Sequence, residues 1–320
     1  MEVRPFAPIP TPRGRRAASF SGMIAVCIAV ALASVPGARA AEPASSGESS
    51  GALIIIGGGT LPAFRDRFLE LAGGKKARIV VIPTASAKAD QGTMLATYLF
   101  FKSQDVKSVE IVHTRDRAKA DDPDFIKPLT EATGVWLMGG DQSRLTEVYH
   151  GTAVEKELKK VLARGGVVAG TSAGAAVMSD LMITGGTDSA SVGDGFGLIS
   201  GVVVDQHFWN RRRLNRLLGV LAKHPECPGI GIDEETALVV RGQTATVLGN
   251  GNVRACLCEH GTLPASIQVL KDGEKLDLAA LVSAARARNK TSADAKVLAR
   301  GSVVAGTSAG AAVMSALMTR

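Results

Sequence analysis

Aromatic side chains are scarce in this chain, 4% of 320 residues with two tryptophans and two tyrosines, and no basic stripe runs among them. A surface that tracks phosphates with cations and stacks bases on rings is therefore missing, which excludes nucleic acid as a partner. Cysteine is scarce too. Of the four, Cys27 lies in an N-terminal segment set apart below, which leaves Cys227, Cys256 and Cys258. An odd number is not a disulfide framework. The formal net charge is +7, but residues 1–40 hold Arg4, Arg13, Arg15, Arg16 and Arg39 against Glu2, so the rest carries only +3. That excess is too small to call for a polyanionic partner. The chain also lacks a dinucleotide fingerprint. Gly57, Gly58 and Gly59 follow an apolar run without the G-x-G-x-x-G spacing, and no acid closes the second run where a ribose would need one, so a nicotinamide cofactor is excluded.

What is present begins with an export signal. The arginine-rich front is followed by "MIAVCIAVALASV", too short to span a bilayer, and then by the small-x-small site Ala38-Arg39-Ala40. Cleavage is expected after Ala40, giving a periplasmic or extracellular mature chain without stable membrane association. Arg15-Arg16 leaves general and twin-arginine export both open. Residues 41–51, with "EPASSGESS", read as a flexible linker, and 52–290 as one domain.

Within that domain, "ALIIIGGG" (52–59), "ARIVVIPTA" (77–85), "VEIVHT" (109–114), "GVWLMGG" (134–140) and "GVVAGTS" (166–172) are compact apolar runs bounded by turn residues. They predict buried strands of a parallel sheet. Between them, spacings such as Leu145, Val148, Val154, Leu158 and Val161 predict helices. Alternation of the two predicts an α/β fold, a doubly wound, mostly parallel sheet with helices on both faces. Beyond about residue 236 the texture of "ALVVRGQTATVLGNGNVRACLC" predicts a C-terminal antiparallel β extension on the far side of the sheet.

One stretch is written almost twice, "VLARGGVVAGTSAGAAVMSDLM" at 161–182 and "VLARGSVVAGTSAGAAVMSALM" at 297–318. Each fits a strand, a tight turn carrying a serine, and a helix whose positive end favours an oxyanion. A serine hydroxyl needs a base, and the base an orienting acid. Downstream of Ser172, "DQHFWNRRRLNRLLGVL" supplies His207 and "GIGIDEETALVV" supplies Asp233, Glu234 and Glu235. Strand alternation puts Glu234 on the face opposite its neighbours. After Ser308 only Ala309 to Arg320 remain, with no His or Glu. Residues 291–320 are therefore read as a partial, non-catalytic duplication.

Taken together, "GGDQSRL" (139–145), "GTSAGA" (170–175), "DQHFWNRRRLNRL" (205–217) and "GIGIDEETA" (229–237) resemble the cyanophycinases, serine exopeptidases of the class I glutamine amidotransferase-like fold. The resemblance runs over about 52–270. It implies Ser172 as nucleophile, His207 as base and Glu234 as orienting acid, with an oxyanion hole from the N–H groups of Gly140 and Ala173. It further implies substrate contacts from Gln142, Asp205, Arg213 and Arg216, cyanophycin or a β-aspartyl peptide as substrate, no cofactor or metal, and a homodimer. Arginines suit the carboxylates of such a substrate and Asp205 its guanidinium.

The residues also admit other readings. Cys256, Cys258 and His260 alternate, so a strand would point all three one way, but no fourth ligand is in view and small buried cysteines are expected instead. An α/β-hydrolase-type esterase would use Ser172, Asp233 or Glu234, and His260 in that order. Another peptidase of the same fold, an aspartyl or isoaspartyl dipeptidase, or a peptide-binding protein without turnover, would keep the fold and change the substrate or lose the reaction.

Overall fold

The computed structural model describes residues 51–59, 61–91, 95–261 and 263–299. The export segment with its cleavage after Ala40, the linker up to residue 50 and the second copy around Ser308 lie outside the described residues.

Each of the five apolar runs forms a strand: β1 Ala52–Ile56, β2 Arg78–Ile82, β3 Ser108–Ile111, β4 Gly134–Leu137 and β5 Val167–Thr171. β1 to β4 each stop three residues short of the stretch that announced them, and β5 one. The leftover segments, Gly57–Gly59, Pro83–Ala85, Val112–Thr114, Met138–Gly140 and Ser172, leave the ladder at the carboxyl ends of the strands. After β5 come β6 Leu181–Gly185, β7 Ser191–Asp194, β8 Val203–Asp205, β9 Gly229–Ile232, β10 Thr236–Arg241, β11 Thr244–Gly249, β12 Val253–Leu257, β13 Ser266–Leu270 and β14 Lys275–Asp277. The helices are α1 Pro62–Leu71, α2 Leu95–Lys102, α3 Pro123–Glu131, α4 Gln142–Tyr149, α5 Ala153–Ala163, α6 Ala173–Ala176, α7 Leu214–Lys223 and α8 Leu278–Ala299. The last of these continues past residue 290, where the sequence suggested a boundary.

The main sheet has eight strands in the order β14-β11-β10-β1-β5-β4-β2-β3. The run β1-β5-β4-β2-β3 is parallel, and β10, β11 and β14 are antiparallel. Alternation along the strands sends side chains to two cores. Leu53, Ile55, Val80, Ile82, Val135 and Val168 meet Leu129, Leu145, Val148 and Leu158 from α3, α4 and α5. Ile54, Ile56, Ile79, Val81, Trp136 and Ala169 meet Phe64 and Phe68 of α1 and Phe101 of α2. Helices thus cover both faces.

The C-terminal β structure is antiparallel, as expected, and it is divided between two sheets. β10 lies along the free edge of β1 with a register from Ala52 opposite Arg241 to Ile56 opposite Ala237, so it widens the main sheet. β12 and β13 leave it and join β9 and β8 in a separate four-stranded sheet, order β13-β12-β9-β8. Phe208, Leu217, Val220, Cys256 and Cys258 pack together against that sheet. Burial pushes the Cys256 thiol up to about 12, which leaves it a neutral, apolar filler.

Candidate active site

Parallel register brings the ends of β1, β4 and β5 level. Ile56 stands opposite Thr171, and Leu137 opposite Gly170. The next residues, Gly57, Met138 and Ser172, therefore open the crevice beyond the carboxyl edge, where doubly wound sheets place their ligands. Ser172 turns the chain from β5 into α6 with φ 54° and ψ −111°, a sparsely populated conformation costing on the order of 1–3 kcal/mol. Its N–H is tied to the Ile56 carbonyl at 3.0 Å, so the pairing of β1 with β5 holds the turn. His207 and Glu235 also carry left-handed φ angles, 49° and 53°. Strain of this kind gathers at the reacting groups.

The imidazole of His207 links the other two groups. Its Nε2 is 2.8 Å from Ser172 Oγ and its Nδ1 is 2.6 Å from Glu234 Oε1. A carboxylate can only accept, so Nδ1 carries the proton and Nε2 offers its lone pair to the serine hydroxyl. Gly58 makes room for this ring. A Cβ there would sit 2.2 Å from the His207 ring, and its φ of +153° suits glycine. The glycine turn also fixes the partners' backbones: Gly57 O accepts the His207 N–H at 2.7 Å and Gly58 O the Glu235 N–H at 2.8 Å. The approach of a glycine turn to a neighbouring loop is thus an approach to the base itself.

Gly140 follows β4 with φ +148°, and a Cβ on it would lie 2.2 Å from the Ala85 carbonyl oxygen. A Cβ on its neighbour Gly139 would lie 3.3 Å from Ser172 Cβ, so this loop passes directly beside the serine. The N–H of Gly140 and the N–H of Ala173, first residue of α6, have no acceptor among the described residues. Two free donors beside a serine hydroxyl suit an oxyanion.

The remaining expected contacts are engaged with protein. Gln142 Nε2 donates to Ile183 O at 2.8 Å and Thr184 O at 2.9 Å, anchoring α4 to β6. Asp205 has a side chain with no exposure and pairs bidentately with Arg216, Nη2 to Oδ1 at 2.5 Å and Nε to Oδ2 at 2.9 Å. Arg216 also donates to Gly186 O. Where the sequence suggested that Asp205 meets a guanidinium of the substrate, the structure supplies one from the chain itself. Arg213 Nη1 donates to Gln206 O at 2.6 Å and Oε1 at 2.7 Å, and burial lowers this guanidinium to about 10.

Several groups inside the quoted motifs make bonds that the motifs do not reveal. Asp233 accepts from Trp209 N–H at 3.0 Å, from Asn252 N–H at 3.1 Å and from Arg254 Nη1 at 2.8 Å, which binds together the loops bearing His207 and Glu234. Asn210 Oδ1 accepts the Glu234 N–H at 3.2 Å. Arg211 and Arg212 are exposed beside the base. These residues lie within the stretches 205–217 and 229–237, but nothing in those stretches pointed to these bonds. Asp233 has therefore no oxygen to orient an imidazole, and His260 lies in an isolated bridge with Leu263 beyond β12. The imidazole against Ser172 is that of His207.

Burial depresses the pKa of His207 below 6.5, the bond to Glu234 opposes that shift, and the nearby Arg211 charge reinforces it. The imidazole is thus biased toward its neutral form. For any reaction through Ser172, kcat/KM should fall on the acid side through a pKa below 6.5, the ordinary value. A pH profile checks this. An acid limb at or above that value contradicts the placement of His207.

The model described as "Peptidase family S51" matches residues 53–248. A protein named "Cyanophycinase" from Synechococcus elongatus is 37% identical over 215 residues, 63% of this chain and 66% of that protein. The chain thus matches slightly less than two thirds of that relative's length. A "Cyanophycinase" from Trichormus variabilis is 40% identical over 217 residues, 63% of this chain and 72% of that protein. Among solved structures, a peptidase from an acI-B1 Actinobacterium superposes with a TM-score of 0.56 at 27% identity, covering 71% of this chain and 96% of that one.

Proposed function

Since the chain belongs to peptidase family S51, we propose that it is an exported serine hydrolase that cleaves multi-L-arginyl-poly-L-aspartate to β-aspartyl-arginine dipeptides through an acyl-enzyme. The observation that carries the reading is the continuous chain from Ser172 Oγ through His207 to Glu234, with bonds of 2.8 and 2.6 Å. Ser172 Oγ attacks the scissile carbonyl carbon while its proton passes to His207 Nε2. The carbonyl oxygen becomes the oxyanion and takes bonds from the N–H groups of Gly140 and Ala173. Glu234 holds the imidazolium that forms. Collapse breaks the C–N bond, and His207 returns its proton to the departing nitrogen. Water then attacks the ester and gives a proton to His207, which returns it to Ser172 Oγ as the C–O bond breaks and the acid leaves.

The substrate class rests on the names of the relatives and on charge. Arg211, whose charge acts on His207, and its neighbour Arg212 are exposed and would meet the free α-carboxylates of the polymer's arginyl groups. The closed Asp205–Arg216 pair fixes the start of α7, and so the height at which those arginines stand. Export is part of the same proposal: the chain recovered from cells would begin at Ala41.

The experiment is a comparison of substrates with the mature chain. Released β-aspartyl-arginine from the arginine-bearing polymer, and little product from unmodified polyaspartate, is the expected outcome. Turnover of short β-aspartyl dipeptides irrespective of arginine, with the polymer untouched, would replace this reading by the dipeptidase one.

A further inference from the structure

The loop after β2 is held from two sides, and only one belongs to the site. On the outer side stands Arg115, beyond β3. Its Nη1 donates to Thr84 O at 2.5 Å and its Nη2 to Ser86 O at 2.6 Å. Its Nε donates to Asp90 Oδ2 at 3.0 Å. The other oxygen of Asp90 is 2.9 Å from His113 Nε2, and His113 Nδ1 is 2.9 Å from Thr84 Oγ1. Thr84 is fully buried and shares its hydroxyl with Tyr149 at 2.8 Å. This carboxylate–imidazole–hydroxyl row resembles a triad, but a sealed hydroxyl reaches no substrate.

On the inner side, the carbonyl between the two that Arg115 grips turns the other way. Ala85 O accepts the Asp141 N–H at 2.9 Å and Arg144 Nη1 at 3.0 Å. Gly140 lies against that same oxygen so closely that a Cβ would come within 2.2 Å. One planar fork therefore fixes the carbonyls of Thr84 and Ser86, and the intervening Ala85 carbonyl is left with one direction, toward Gly140 and Asp141.

We propose that Arg115, oriented by Asp90 and His113, is a positioning residue that sets the Gly140 N–H in the oxyanion hole through the Ala85 carbonyl. This rests on the reading of Gly140 given above. An oxyanion donor acts where charge develops, so its displacement lowers kcat and leaves ground-state binding nearly intact. A cation that merely ties down a surface loop would move the melting temperature alone.

The test uses Arg115→Gln, Arg115→Lys and Asp90→Asn in the mature chain. It measures kcat and KM on the polymer and the rate of labelling by a fluorophosphonate, whose phosphoryl oxygen enters the same hole. Losing one oxyanion donor outright costs about 10²–10³-fold, and misplacing it less, so Arg115→Gln should lose about 10- to 100-fold in both kcat and labelling rate. KM should stay within about twofold, and the acid limb from His207 unchanged. Arg115→Lys should recover part of the loss by gripping one carbonyl. Asp90→Asn keeps the fork while loosening it, and should show a smaller loss in the same direction; it decides the matter if Arg115→Gln melts early. Unchanged kcat and labelling in Arg115→Gln and Asp90→Asn, or a loss confined to KM, overturns the inference while leaving Ser172 in place. A wild-type chain that resists the fluorophosphonate overturns the nucleophile and this inference together.

Discussion

Ser172→Ala should lose hydrolysis almost entirely, with kcat/KM down on the order of 10⁴–10⁶-fold, while Ser308→Ala keeps the wild-type rate. The asymmetry follows from what each serine can reach. Ser172 Oγ lies 2.8 Å from a neutral imidazole, beside a loop that offers Gly140, and at the start of α6. The segments that carry His207 and Glu234 are not repeated around Ser308. Alanine at 172 keeps the backbone turn, which is set by the pairing of β1 with β5 and by the bond from its N–H to Ile56. Stability should therefore change by no more than about 1 kcal/mol, the net worth of one hydrogen bond. Thermal melting beside the assay separates lost chemistry from lost fold. Full activity in Ser172→Ala would remove the nucleophile from the account.

The second large effect separates two histidines. His207→Ala should fall by about 10⁴-fold or more, because removing the base costs nearly as much as removing the nucleophile. His260→Ala should stay within about twofold, since its backbone, not its ring, pairs with Leu263. Glu234→Gln should lie between, at about 10²–10³-fold. Its carboxylate is 38% exposed, so water can partly replace it in holding the imidazole. Both histidine variants, assayed on the polymer and on a simple ester, give the comparison. Inactive His260→Ala with active His207→Ala would restore the esterase order of residues.

How much of this could be read in the chain depended on whether a signal was local. The five parallel strands were legible because β-branched runs bounded by glycine have few other uses. Their carboxyl ends were overread, and the overread residues, Gly57 to Gly59, Met138 to Gly140 and Ser172, are the ones that build the crevice. A run of glycines looks the same whether it continues a ladder or leaves it. The choice among three consecutive acids was half legible. Alternation set Glu234 apart from Asp233, and the structure sends Asp233 to Arg254 and two backbone N–H groups while Glu234 meets His207. Which of the two faces the base depends on the bond from Glu235 N–H to Gly58, 177 residues away in sequence and invisible in it. The closure of Asp205 on Arg216 was not legible either. Opposite charges in a motif suggested a ligand, and folding paired them with each other. Arg115 belongs to no motif at all, and only the three carbonyls around Ala85 reveal what it holds.

The central claim is that Ser172 is made nucleophilic by His207. Its most direct test is to treat the full-length chain with a fluorophosphonate, digest it, and locate the adduct by peptide mass, with His207→Ala alongside. The account predicts one adduct, on Ser172 in the wild type, absent from the peptide bearing Ser308 and lost in His207→Ala. An adduct on Ser308, or one on Ser172 that forms equally fast without His207, would contradict it.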